Sequence, residues 1–470
     1  MRYDVIVVGA GTAGIPCAIE ASVGASVLVV DTADQIGGTL HVSAGHMSAA
    51  GCRRQREAGI DDDPQLHYDD VMAISGGTAD PDLVRLAVEE APRTVDWLED
   101  HGFDFDPATP AIYRGHTPYS RPRTFWGLRK GLSILETMRP AWDEAVAAGR
   151  VVHRPRTSAV SLEVSGGAVT GVVVDSGNGP ETIGADAVVL CAGGYGASPE
   201  LFASLTPGAP RLVTNAVRTS QGDALRLGES AGAAVRFGEL HTPRLGLLEQ
   251  PPGSGRVDFW TGMMHLTASE RPPREIWVNR DGRRFVAEDL EDVTTQEHAT
   301  MSQPGSTMWV VFDHATVEAD GQPLVRQWSW RELEERAARG DLVVRADSLP
   351  ELARLCGIDP DGLVESVAAF NAAVDSGEDP LGRRVLLQRI ETAPFYAVQS
   401  SPAVLCTFGG LDVDAQLRVR RADGSLVSGL FAAGEAIGMG ATSGRAFCGG
   451  MAVTPALGFG RIVGRALGGA

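Results

Sequence analysis

Four residues near the start of the chain have the types and spacing to hold a phosphorylated ligand. Gly9, Gly11 and Gly14 fit G-x-G-x-x-G, and Asp31 follows downstream. In such a site the first glycine turns the backbone off a strand and the second lets it approach a pyrophosphate. The third lets a helix pack close to the sheet. An acid at Asp31 accepts hydrogen bonds from ribose hydroxyls. Thr12 and Ala13 lie in the turn, and Thr32 follows the acid, so they join the expected contacts. A helix opening there offers free N–H groups and a positive dipole end to phosphates.

These residues need a strand–turn–helix–strand frame, and the neighbouring sequence supplies it. Val5, Ile6, Val7, Val8 and Gly9 form an apolar or small run suited to a strand buried on both faces. Residues 13–25 read as a helix and 26–30 as a second buried strand. The following loop, TADQIGGTLHVSAGHMSAAG, is small-residued and nearly uncharged. Its Gly37, Gly38, Thr39, Ser43, Ala44 and Gly45 predict backbone lying against a flat ligand.

Further along, residues 53–70 are polar and acidic and read as an exposed loop. Residues 82–101 repeat apolar side chains at helical spacing. The stretch 112–130 carries five basic side chains and a histidine among aromatics and prolines, a local positive patch. Residues 133–148 read as a helix, and 151–174 as two strands joined at 165–168. Residues 187–190 read as a buried strand leading into CAGGYG, and 219–231 as a turn and helix. After about Phe237 the texture changes to mixed, charged elements, with helices at 331–338 and 360–374. It returns near Ala403 and ends in a helix over 452–467.

The 470 residues give a soft expectation of about three domains at ~150 residues each. A formal net charge of −19 argues against nucleic acid and anionic membrane surfaces as partners. The six cysteines form no C-x-x-C pair and no metal-ligand spacing with histidine, which predicts reduced thiols, no metal and a cytoplasmic protein. The first apolar run lacks a basic leader and is broken by glycines, so it does not read as a signal peptide. No uninterrupted apolar stretch reaches membrane-spanning length.

Taken in order, several segments resemble one flavoprotein family: fumarate reductases, succinate dehydrogenase flavoprotein subunits and ketosteroid dehydrogenases. They are VIVVGAGTAG with Asp31, GGTLHVSAGHM, VVLCAGGYG, SQGDALRLGESAGA, IWVNRDGRRFVAED, TFGGLDVD, GLFAAGEAIG and CGGMAVTPALGFGRIVG. The resemblance implies an α/β fold: a Rossmann-like FAD-binding domain with an inserted α+β capping domain. It divides the chain at 1–236, 237–391 and 392–470. FAD would span both ends of the chain.

In that family's pattern Glu435 holds ribityl or ribose hydroxyls, and Gly434 before it joins the cofactor contacts. The backbone at Gly449, Gly450, Ala452 and Val453 faces the pyrimidine end of the flavin. Thr39, Ser43, Ala44, Gly45 and Met47 line the other edge. Val160 meets the adenine, and Ala192, Gly193 and Asp223 lie near the cofactor. Leu40 stands where some members attach FAD through histidine, with His41 offset by one, so FAD is expected to be non-covalent.

The resemblance also implies hydride exchange between flavin N5 and a substrate carbon, with a proton moving at the neighbouring carbon. Several catalytic positions depart from the pattern. EDLEDVTTQEHA lacks the proton-donating arginine of fumarate reductases, Leu405-Cys406 replaces a double histidine, and Ala446 replaces the tyrosine of ketosteroid dehydrogenases. His241, Arg271 and Gly450 match substrate-binding, proton-path and ketone-holding positions. Arg445 lies two residues from Phe447, which replaces a carboxylate-binding arginine, and Tyr119 is a candidate acid or base.

The expectation is desaturation of a C–C bond α,β to a carbonyl or carboxylate of a small molecule. Ene-reduction, or an oxidase or monooxygenase acting at a C–N or C–O bond, are alternatives. A flavin subunit of an electron-transfer complex is a third reading, for which this chain has no iron–sulfur or haem cysteine motif. An external electron acceptor or oxygen is left open, as is the oligomeric state.

Overall fold

The computed structural model describes residues 1–319, 321 and 323–469. The first strand, Arg2–Val8, lies inside an eight-stranded sheet. It pairs in parallel with Val27–Val30 on one side and Pro180–Leu190 on the other. Val151–Arg154 and Leu426–Ala432 extend this parallel core. Its central strands read as runs of valine, isoleucine and leucine because they are buried on both faces.

The expected pair of strands over 151–174 is three strands. Val151–Arg154 joins the parallel core and ends at Pro155, whose ring cannot donate to a ladder. Ser158–Ser165 and Ala168–Asp175 then form an antiparallel hairpin.

The sequence expected a loop over 53–70, and the structure corrects it to two helices, Arg53–Glu57 and Pro64–Ile74. Asp63 caps the second, accepting from Leu66 N at 2.9 Å, with Pro64 in the first turn. His67 and Val71, four apart, bury one face. The acidic run hid this N-terminal signature. The expected positive patch at 112–130 is also largely neutralised. Arg123 is fully buried and holds both oxygens of Asp62 at 3.0 and 2.8 Å, with Asp70 at 3.0 Å. Arg114 pairs with Glu291 and Arg129 with Glu136.

A second sheet of six strands carries the middle of the chain. Its long central strand is Phe395–Val404, paired with Arg244–Leu247, Met308–Asp313, Val343–Ala346 and Val213–Thr214. The expected boundaries at 236/237 and 391/392 therefore cut through this sheet. Phe395–Val404 has a glycine-poor, apolar texture that reads equally well as nucleotide-domain strand.

The two ends of the chain meet backbone to backbone. The last helix, Val453–Gly468, packs on the first, Gly14–Ala21. A Cβ on Gly460 would lie 2.2 Å from the Ala13 carbonyl oxygen, and one on Gly464 2.5 Å from that of Cys17. Arg461 and Arg465 close the contact by pairing with Glu20 and Glu90. Gly460→Ala should force these helices apart, costing about 2 kcal/mol by overpacking. A lowered urea midpoint with a weaker hold on FAD is the expected readout.

Candidate active site

A long cavity runs from the glycine turn to the second sheet, lined by residues from both ends of the chain and from its middle. Its inner end has the features a dinucleotide needs. Gly9 has φ +105°, and a Cβ there would lie 2.5 Å from the Cys191 carbonyl oxygen. A Cβ on Gly14 would lie 1.8 Å from the Gly9 carbonyl oxygen, so this glycine packs beneath the cavity rather than lining it. In front of Gly11 nothing lies within 4 Å of a built Cβ, leaving room for phosphates. Asp31 accepts from Ala10 N at 2.6 Å and Ala33 N at 2.7 Å. Its carboxylate ties the two turns together and still faces the cavity.

Thr12, Ala13, Thr32, Gly38, Thr39, Ser43, Ala44, Ala192, Gly193 and Asp223 also line the cavity, as do Gly434, Glu435, Gly450, Ala452 and Val453. Glu435 takes Thr407 N and Oγ1, each at 2.8 Å, on one oxygen. Its other oxygen has no bond from Thr407 and is available to a hydroxyl donor. Burial raises the pKa of this carboxyl. Ala452 and Val453 begin the sixteen-residue last helix, so its N–H end opens on the cavity. These features fit FAD: a phosphate-sized gap at Gly11, acids at both sugar positions and a helix N-terminus for the electron-rich edge of a flavin.

Besides Gly14, four expected cofactor contacts fall outside the lining. Val160 is 57% exposed, because strand alternation turns it outward while Ala159 faces in. Gly45 packs on Gly131, where a Cβ would be 2.6 Å from the Gly131 nitrogen. Met47 is buried behind Gly450. The Gly449 carbonyl accepts from Tyr119 Oη at 2.7 Å and is turned from the cavity.

Of the expected catalytic residues, only Gly450 reaches the cavity. Tyr119 is spent on Gly449, with its ring edge on His67. His241 packs edge-on against Phe202, and burial lowers its pKa to about 4. Arg271 is buried in a two-bond pair with Glu275 at 3.0 and 2.8 Å. The Arg445 backbone is fixed by Thr78, Thr242 and His298, but its guanidinium lies outside against Gly76. Glu288 pairs with Arg284 and Arg383.

The cavity's outer end instead gathers His46, Tyr113, His116 and Arg244, with Phe259, Leu405 and Phe447 as apolar walls. The His46 and Tyr113 rings are 4.3 Å apart, and His116 stacks on Phe447 at 5.4 Å. Arg244 is 3% exposed and among the described lining residues it is the one arginine or lysine. It bonds Glu297 through one nitrogen at 3.3 Å.

Burial, assisted by Arg244, lowers His46 to about 4 and His116 well below its ordinary value. Both imidazoles are therefore neutral. Burial raises the Tyr113 phenol, which stays protonated. Burial likewise pushes Cys448 up to about 12 and Cys406 well above the usual thiol range, so neither offers a thiolate. Arg244 lies three residues after His241, in the same HTPRLG segment. Only the strand Arg244–Leu247 turns it inward, and that direction has no sequence signal.

The FAD binding domain family profile matches residues 4–451. A fumarate reductase (cytochrome) of Shewanella frigidimarina is 30% identical over 98% of this chain and 76% of its own length. The open conformation of a flavocytochrome c3 fumarate reductase superposes with TM-score 0.76 at 27% identity, covering 100% of this chain and 78% of that one. A 3-ketosteroid Δ1-dehydrogenase of Sterolibacterium denitrificans shares the fold, with TM-score 0.81 at 21% identity over 100% and 99%. No described helix is long and apolar enough to cross a membrane.

Burial raises Glu297 to about 7, while Arg244 opposes and Asp292 adds to the rise. Below pH 7 Glu297 is neutral, and Arg244 is free to hold an anion. Above it, the Glu297 carboxylate competes. His46, His116 and Tyr113 do not titrate in this window. Acetate affinity, measured by calorimetry, should therefore fall about tenfold between pH 6 and pH 8. Glu297→Gln should flatten the profile.

Proposed function

The chain belongs to the FAD binding domain family, and on that premise we propose that it desaturates a C–C bond next to a carbonyl or carboxylate. It is an FAD-dependent oxidoreductase of CH–CH groups. FAD, when bound, supplies the acceptor for a hydride. The observation that carries the reading is Arg244, buried in the cavity wall beside two neutral imidazoles and a protonated phenol.

Arg244 binds the substrate oxygen and stabilises charge that builds there when the neighbouring carbon loses its proton. Tyr113 donates a hydrogen bond to the same region. His116 is uncharged, and its Nδ1 is buried with no protein partner, so it is the proton acceptor. A bound carboxylate opposes the Arg244 charge and raises His116 toward a useful basicity. Phe447, Leu405 and Phe259 give this end apolar walls. Neutral imidazoles favour removing a proton over delivering one, which supports oxidation. Reduction would use the same groups in reverse.

The cofactor is held without a covalent bond: Leu40 is buried, and His41 Nε2 lies 3.0 Å from the Ile36 carbonyl oxygen. Six unpaired cysteines support a reducing, cytoplasmic setting, with electrons leaving to an external acceptor.

Anaerobic stopped-flow with saturated acids or ketones should bleach the flavin and yield the conjugated alkene. Rapid oxygen use with hydroxylation or deamination would replace this reading by an oxygenase or oxidase. Arg244→Ala should retain FAD and lose at least 100-fold in kcat/KM, about 2.7 kcal/mol. His116→Ala should lower kcat about 100-fold. Arg445→Ala should stay within twofold of the parent.

A further inference from the structure

We infer that the substrate is a monoanion: one carboxylate, held by Arg244, on an aromatic ring body that lies against the His116–Phe447 stack. This rests on the C–C oxidoreductase reading and adds the substrate class. Arg244 is the one arginine or lysine among the described cavity-lining residues. The nearby cations are engaged elsewhere: Arg326 bonds Glu270 at 2.7 and 2.8 Å, and Lys130 lies 3.1 Å above the Trp260 ring. A second carboxylate on the substrate would be desolvated with no cation to meet it, and an unpaired buried charge is costly.

The remaining wall is shaped for a ring. His116 and Phe447 are nearly parallel, at 17°, and Phe408 braces Phe447 edge-on at 5.7 Å. Tyr113 and His46 form a second tilted pair, backed by Trp126 at 5.4 Å from His46. Leu405 and Phe259 add aliphatic and aromatic surface. Such walls favour an offset or edge-on aromatic ring over a carboxylate.

Cinnamate and fumarate form a matched pair of probes. Both are trans-alkenoates, and they differ in one end, phenyl against carboxylate. Calorimetric titration of the oxidised FAD-loaded protein at pH 6.5 reads binding without turnover. Cinnamate is expected to bind at least 30-fold tighter than fumarate. Phe447→Leu should weaken cinnamate at least threefold and leave fumarate unchanged. Phe447→Arg should cut the cinnamate preference at least tenfold. A parent ratio below 30, a preference for fumarate, or no binding of cinnamate overturns the inference. Should cinnamate bind tightly while 3-phenylpropanoate fails to bleach the flavin anaerobically, the ring-acid site stands and the oxidoreductase reading fails.

Discussion

The structure depends on the contact between its first and last helices. Gly460 and Gly464 let the last helix approach the backbone of the first at distances no Cβ would allow. That approach sets the Gly9–Gly14 turn and the N-terminus of the last helix on one cavity. One end of the chain supplies the glycine turn and the other a helix N-terminus, both open on that cavity. Neither alone makes a complete cofactor site, so dinucleotide binding here is a property of the closed chain. The ion pairs of Arg461 and Arg465 with Glu20 and Glu90 lie beside the glycine contact and hold its rotation.

Electrostatics divides the same way. The chain is strongly acidic, yet its outer cavity is governed by one buried guanidinium. Burial, assisted by Arg244, keeps two imidazoles neutral, and the single Arg244 bond to Glu297 leaves donors for a ligand. Arg326 and Arg271, by contrast, each engage both oxygens of a carboxylate, Glu270 and Glu275. Unequal pairing, rather than the number of cations, decides where an anion goes.

The parallel core, the glycine turn and the cofactor lining were legible in the sequence because each rests on local pattern: unbroken apolar strands, fixed glycine spacing, a helix start. The helix Pro64–Ile74 was missed because acidic residues masked an Asp-Pro cap that has the same form as the one before Pro360. The outer site was misread for a different reason. Tyr119, His241, Arg271 and Arg445 have suitable chemistry and suitable neighbours in sequence, but side-chain direction depends on long-range pairing. Strand register turns Arg244 inward, and local bonds hold Arg445 outward. The tyrosine and histidine that do face the cavity, Tyr113 and His116, sit within the stretch singled out for its charge, and neither was assigned a role there.

Phe395–Val404 is the axis of the second sheet, and the next two residues, Leu405 and Cys406, already form cavity wall. No slack chain separates them. Any swing of the smaller sheet is transmitted directly into that wall, so entry of a ligand and the shape it meets are one mechanical variable.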